Sequence, residues 1–200
     1  MLRQEDTTIS RQFWSETVSW ATASGTAIAN SNTETILFPN ITIPANFLQD
    51  GRVLRGRGFF AYGTTSTPSL TFAIRWGGVS GTVLAKSAAL TTTSGTGGGA
   101  SMTALGSFEF IIQTRSNGSS GTLMTNGEVI TYTSAAPTAG TVTNYGLPQI
   151  LASGSTGGTT PVAVTVDLTA DTALSLTALW GTANSANSIQ GLQYTLEAMN

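Results

Sequence analysis

The chain has 200 residues and a net charge of −2, and it contains no histidine and no cysteine. Their absence excludes Ser-His-Asp and Cys-His catalysis, the usual zinc sites, haem, iron–sulfur clusters and disulfides. Charged residues make up only 9% of the chain, against roughly a quarter in typical globular proteins. The 8 basic residues are scattered and form no phosphate-binding stripe, and no apolar run reaches the roughly 20 residues of a membrane span. We therefore predict no cofactor, no nucleic-acid partner and no membrane partner.

The first thirty residues differ in composition from the rest. Charges are concentrated there, and Trp14 and Trp20 stand in a polar setting. Two interpretations remain open, a first strand of the main domain or an N-terminal extended arm that docks on a partner. A partner would desolvate the two large rings, which favours the arm. We predict an arm or first strand over residues 1–30 and one β-sandwich domain over residues 31–200.

Apolar residues at every second position predict β-strands along the remainder of the chain. This period is typical of strands that bury one face and expose the other. In chain order the predicted strands cover residues 34–43, 52–62, 69–76, 82–88, 107–115, 122–133, 162–168, 174–180 and 192–198. Turn-forming residues separate them, and no helical crossovers lie between them. The predicted fold class is all-β, an antiparallel β-sandwich or jelly roll of roughly eight to ten strands.

The same alternation predicts which residues form the core. Phe72, Phe110, Val164 and Leu176 are expected to be nearly fully buried. Glu109 is expected on the solvated face of its strand, because neighbouring residues in a strand point to opposite faces.

Carboxylates are the remaining catalytic candidates, because a glycosidase needs two of them in a cleft. Most have a simpler structural place: Glu109 and Asp167 on solvated faces, and Asp50 in a turn before glycine. Asp167 and Asp171 flank a turn and could share a calcium ion, but no loop has the ligand pattern of a dedicated site. We predict no catalytic residue, no metal site and no enzymatic activity. The full set of candidates is Glu34, Asp50, Glu109, Glu128, Asp167, Asp171 and Glu197.

Arg55 and Arg57 share one face of the predicted strand 52–62, with glycines interleaved on the other face. A solvated outer face explains this pattern. It also fits an interface, in which the arginines bind carboxylates of a partner and the glycines allow close approach. We take Trp14, Trp20, Arg55 and Arg57 as the candidate interface residues.

Residues 43–55, which read IPANFLQDGRVLR, resemble a stretch found in structural proteins of tailed bacteriophages. An aromatic strand, the turn around Pro68 and the hairpin at Gly77–Gly78 follow in the same order as in that family. The resemblance covers residues 34–197 and carries no catalytic positions. It implies a jelly-roll virion protein, similar to the capsid decoration or cement proteins that sit as homotrimers on phage heads.

From this resemblance we expect a non-enzymatic protein that binds itself and the major capsid protein. No apolar leader follows Met1, so we expect synthesis in the host cytoplasm and a final place on the capsid surface of the virion. The alternative is a carbohydrate-binding, receptor-binding domain of a tail or head fibre. Exposed aromatic rings would be needed for that function, and Trp76 and Trp180 are candidates that fall on inward-facing rows.

Overall fold

The structure is a computed structural model that describes residues 15–92, 101–132, 146–154 and 160–199. These residues contain fourteen β-strands and no helix, and so no helix that could cross a membrane. The strands are β1 (Ser15–Trp20), β2 (Ile28–Ala29), β3 (Thr35–Ile36), β4 (Ile41–Ile43), β5 (Val53–Gly63), β6 (Ser69–Trp76), β7 (Thr82–Lys86), β8 (Leu90–Thr91), β9 (Ala104–Ser116), β10 (Gly121–Tyr132), β11 (Gly146–Ser153), β12 (Val164–Val166), β13 (Thr172–Trp180) and β14 (Ser188–Met199).

One continuous antiparallel sheet folds over to make both layers. Its strand order is β1-β14-β5-β9-β10-β11-β7-β6-β13-β3. The first five strands form the front sheet, and the last four form the back sheet. β11 connects the layers, because it pairs with β10 through Gly146–Leu151 and with β7 through Ala152 and Ser153. The other short strands extend these layers: β2 pairs with β14, β4 with β13, β8 with β6 and β12 with β10.

The core lies between the two sheets. Phe60 of β5 and Phe72 of β6 face each other with ring centroids 5.1 Å apart. Phe38, in the segment between β3 and β4, contacts Phe108 of the front sheet at 5.9 Å. Apolar side chains from facing sheets meet in this way in a β-sandwich, which confirms the predicted all-β antiparallel fold class.

The predicted core is confirmed at three of its four positions. Phe72, Phe110 and Leu176 are buried, whereas Val164 is only partly buried against the core. Val164 lies in β12, which pairs with the start of β10 over three residues only. Its neighbour Val162 lies outside that strand and is exposed. Glu109 lies on the outer face as predicted, so the register of β9 is confirmed.

Several strand boundaries differ from the prediction. The predicted strand 34–43 is interrupted between β3 and β4, where Pro39 lacks the backbone N–H that a sheet ladder needs. The strand β11 was not predicted at all, and it carries a proline, Pro148. The predicted number of strands is too low because β11 and the two-residue strands β2 and β8 are missing from it, and because one predicted strand is divided into β3 and β4.

The N-terminal part of the described chain belongs to the front sheet. β1 pairs with β14 from Ser15 opposite Met199 to Trp20 opposite Thr195, with a bulge at Val18. Further along, Gly25 donates its N–H to the carbonyl of Gly191 at 2.8 Å. Trp14 lies outside the described residues.

Candidate functional site

The outward faces of the two sheets differ in composition. On the back sheet, Glu34 covers part of the outer surface. It accepts hydrogen bonds from Arg75 at 2.6 and 2.5 Å and from the hydroxyl of Thr177. Burial acts to raise the pKa of Glu34, but these hydrogen bonds and the charge of Arg75 outweigh it, and the pKa lies below its ordinary value. Arg75 also donates to the carbonyl of Gly81 at 2.8 Å. The charges of Glu34 and Arg75 are therefore used within the fold.

The front sheet instead exposes apolar side chains. The described residues contain eight exposed large hydrophobic side chains, and six of them lie on the outer face of the front sheet or on the adjoining β11. Outside a binding surface, so many on one face are unusual for a soluble domain. The six are Trp20, Phe59, Leu105, Ile111, Tyr132 and Ile150.

Strand register places charged residues in a row across the middle of this face. Arg57 of β5 lies opposite Thr195 of β14 on one side and Glu109 of β9 on the other. Glu109 in turn lies opposite Glu128 of β10, and Glu128 lies opposite Ile150 of β11. Side chains directly opposite each other have Cβ atoms about 5 Å apart, so Glu109 and Glu128 are close neighbours of like charge.

An open groove of about 990 Å³ runs over this row, from β1 across β14, β5 and β9 to β10. Four strand spacings of about 4.8 Å give it a length of about 19 Å. Trp20 stands at one end, Phe59 in the floor and Tyr132 at the other end, while Gln193 and Ser107 add polar groups beside Phe59. A concave surface with aromatic side chains and a few polar groups has the general composition of a ligand site.

Tyr62 helps to fix the end of the groove that carries Tyr132. Its hydroxyl donates to the backbone carbonyl of Tyr132 at 2.8 Å. Burial raises the pKa of Tyr62 to about 12, with a smaller opposing effect from a hydrogen bond with Thr131. The phenol therefore stays neutral and keeps its donor proton at any physiological pH.

The two arginines of β5 are partly neutralised within this face. Arg55 binds the carboxylate of Glu109, with N···O distances of 2.7 and 2.8 Å. Arg57 is half exposed; its guanidinium lies 3.6 Å from Glu197 and donates to the hydroxyl of Thr195 at 3.4 Å. Glu128 is exposed and forms no ion pair with any residue that the structure describes. It is thus the carboxylate most available to a ligand.

The glycines interleaved with these arginines do not serve the outer surface, and that part of the interface hypothesis is wrong. Gly56 and Gly58 are buried and face the core. A Cβ at Gly56 would lie 2.2 Å from the ring of Phe110, and one at Gly58 would lie 2.6 Å from the ring of Phe108. These positions are glycine because core phenylalanine rings pack directly against the backbone of β5.

The other candidates from the sequence lie away from the groove. Trp76 and Trp180 are buried, so neither can stack on a carbohydrate. Asp167 accepts hydrogen bonds from the hydroxyl and backbone N–H of Thr169, which lower the pKa of Asp167. Asp171 accepts one from the N–H of Ala45 at 2.8 Å. No cluster of three or more potential metal ligands occurs among the described residues.

Asp50 has a structural role, as its place in a turn predicts. Its carboxylate accepts a hydrogen bond from the backbone N–H of Asn117 at 2.7 Å, which joins two turns at one end of the molecule. Of the seven carboxylates considered from the sequence, the structure therefore brings three to the front sheet: Glu109, Glu128 and Glu197.

Of the four predicted interface residues, Trp20, Arg55 and Arg57 lie on the outer face of the front sheet, and Trp14 is outside the described residues. Sequence reasoning missed Phe59, Tyr132 and Gln193 as parts of one surface. A local signal existed: Phe59, Leu105 and Ile111 are apolar residues at positions where the alternation calls for outward, polar side chains. The meeting of Phe59, Tyr132 and Gln193 in one groove depends on strand order.

A comparison with models of protein families finds no match, and neither does a comparison with curated protein sequences. Among solved structures, the chain is similar to lectin I from Ulex europaeus in complex with the methyl glycoside of α-L-fucose. That similarity has 10% identity and a TM-score of 0.38 and covers 92% of both chains. The metal-free form of lectin I-B4 from Griffonia simplicifolia has 9% identity and a TM-score of 0.33, over 84% of this chain and 78% of that chain. At these values the function has to be argued from the groove.

Proposed function

We propose that this protein is a non-enzymatic carbohydrate-binding domain whose site is the groove on the front sheet, carried on a bacteriophage virion. The observation that carries the proposal is the placement of Trp20, Phe59 and Tyr132 along one open groove with charged and amide side chains between them. The virion context comes from the sequence resemblance over residues 34–197.

Sugars suit this combination of side chains. A pyranose ring has an apolar C–H face that packs on the electron-rich face of an aromatic ring. Its hydroxyl rim needs hydrogen-bond partners, and carboxylate, amide and guanidinium groups supply acceptors and donors. Glu128 offers acceptors, while Arg57 and Gln193 offer donors within the same groove. The groove is open and about 19 Å long by strand spacing, which suits a short oligosaccharide rather than one enclosed small molecule.

The carboxylates of the groove favour binding of a glycan without its hydrolysis. Glu109 and Glu128 lie side by side, as a pair of glycosidase carboxylates would. However, Glu109 is held by Arg55 and Glu128 is exposed, so neither is shielded from water. The acid of a glycosidase is commonly buried in an apolar pocket, whereas the side chains of Glu109 and Glu128 are both open to solvent.

The test is binding of neutral hexose and N-acetylhexosamine oligosaccharides, measured by calorimetry. Phe59→Ala and Trp20→Ala should each weaken binding by about tenfold, which equals about 1.4 kcal/mol for a lost stacking contact. Val79→Ala is the matched control, because Val79 is an exposed apolar residue in the turn after β6, away from the groove. Equal affinities for the two groove variants and the control would contradict the proposal.

A capsid decoration or cement protein is the second candidate. The exposed aliphatic side chains Leu105, Ile111 and Ile150 favour it, since these resemble a protein interface more than a sugar site. In that case the protein would be a homotrimer, and Trp20, Arg55 and Arg57 would contact the major capsid protein or a neighbouring subunit. Trp14 would belong to the same attachment region.

Light scattering and particle binding separate the two candidates. A decoration protein should be a trimer that occupies capsids, and Ile111→Asp should reduce its occupancy. A wild-type protein that is monomeric and binds glycans would contradict this second candidate. A variant that lacks residues 1–14 tests Trp14 more cleanly than one that lacks residues 1–30. The longer deletion would also remove β1 and β2, which pair with β14.

A further inference from the structure

We infer that the groove prefers glycans that carry ammonium groups, such as amino sugars, over neutral and acidic glycans, and that Glu128 is the residue that sets this preference. The inference rests on the proposed glycan-binding function and adds the charge class of the ligand. It follows from the balance of charges in the lining of the groove.

Two arginines of this face are paired with two of its three carboxylates, and the third arginine, Arg115, lies near the end of β9, outside the groove lining. Arg55 binds Glu109 at 2.7 Å, and the guanidinium of Arg57 lies 3.6 Å from Glu197. Glu128 is the third carboxylate, and it has no ion-pair partner in the described part of the chain. The charged residues of the groove lining are Arg57, Glu109 and Glu128, so the lining carries a net charge of −1.

An intervening strand, β9, separates Glu128 from the arginines of β5. Arg57 lies in β5, Glu109 in β9 and Glu128 in β10, in one row across the sheet. Two strand spacings, about 9.6 Å, separate the backbones of Arg57 and Glu128. The nearest charged neighbour of Glu128 in the register is Glu109, a group of the same sign. A cation next to Glu128 would remove this repulsion.

The apolar side chains around Glu128 favour a cationic group that is attached to a sugar ring. On its other side lies Ile150, and two residues along β10 lies Ile130, so apolar surface borders the carboxylate. Tyr132 follows on the same outer face, four residues after Glu128. A pyranose packed on these apolar groups would place its substituents beside Glu128. An ammonium substituent would then form a charge-assisted hydrogen bond, whereas a sugar carboxylate would meet the negative charge of Glu128.

The experiment compares three oligosaccharides of equal length: a glucosamine oligomer, the N-acetylated oligomer and a uronic acid oligomer. Affinities are measured by calorimetry slightly below neutral pH, where the sugar amines are protonated. Wild type should bind the glucosamine oligomer about threefold to fivefold more tightly than the acetylated one, the size expected for an exposed ion pair. The uronic acid oligomer should bind most weakly, and high salt should shrink these differences.

Glu128→Gln should bring the ratio of glucosamine to N-acetylglucosamine affinities close to one. Glu16→Gln is the matched control, because Glu16 is an exposed carboxylate of β1 outside the groove lining, and it should keep the wild-type ratio. A wild type that binds all three oligomers equally would overturn the charge preference while the glycan-binding function stands. A ratio that persists in Glu128→Gln would overturn the role of Glu128. Binding of none of the oligomers would overturn both proposals.

Discussion

Gly56→Ala tests whether the glycines of β5 serve the core or an outer contact. A Cβ at this position would lie 2.2 Å from the ring tip of Phe110, whereas ordinary van der Waals contacts begin at 3.4 Å. The ring would have to retreat by about 1.2 Å to restore contact distance. Its neighbour Phe108 stacks on it with a centroid distance of 6.1 Å, and the adjoining cavity has a volume of only about 20 Å³.

The ring therefore has little room to move, and overpacking of this kind costs about 1 to 3 kcal/mol. Loss of the glycine's freedom in the unfolded chain offsets less than about 1 kcal/mol of that. We expect the free energy of unfolding to fall by about 1 to 2 kcal/mol. Urea denaturation measures the change as a lower midpoint with an unchanged slope.

A double-mutant cycle with Phe110→Leu makes this test specific. Leucine lacks the ring tip that the new Cβ would meet, so Gly56→Ala should destabilise the Phe110→Leu background less than the wild type. Equal destabilisation in both backgrounds would refute the packing argument. A Gly56→Ala protein that keeps wild-type stability but binds its glycan or capsid partner more weakly would show instead that Gly56 allows a close contact on the outer face.

Phe110→Ala should lower the free energy of unfolding by about 3 to 5 kcal/mol, because it removes a buried ring from close-packed surroundings; a loss below about 1 kcal/mol in urea denaturation would contradict the core assignment. Glu34→Gln should lower the free energy of unfolding at neutral pH by about 2 kcal/mol, because the variant loses the negative charge that strengthens the hydrogen bonds with Arg75. Because the pKa of Glu34 is lowered in the folded state, this contribution is present above the unfolded value of 4.5 and is lost as the pH falls below it. The difference between wild type and Glu34→Gln should therefore shrink in acid, and a difference that grows there would refute the assignment. Amide variants of Glu109, Asp167 and Asp171, like wild type, should release no reducing ends from polysaccharides; wild-type turnover that one variant abolishes would indicate a glycosidase.

Much of the fold could be predicted from local patterns. Alternation in residues 69–76 and 107–115 assigned the strands and the buried side of each, because steric geometry points successive side chains to opposite faces. It placed Phe72 and Phe110 inside and Glu109 outside, as the structure has them. Short strands such as β2 and β8 could not be recognised from alternation, because two residues are too few to establish a period.

The outer site depended on information that no local pattern contains. Trp20, Arg57, Glu128 and Tyr132 span more than a hundred positions of the chain, and they share a surface only because β14 lies between β1 and β5, and β9 between β5 and β10. The pattern of each strand says which side chains point outward, but not which strand lies beside it. Strand order is decided by the packing of the two sheets against each other, which is non-local. The sequence by itself thus determined the strands and their buried faces, whereas the tertiary structure alone brought the outward residues into one groove.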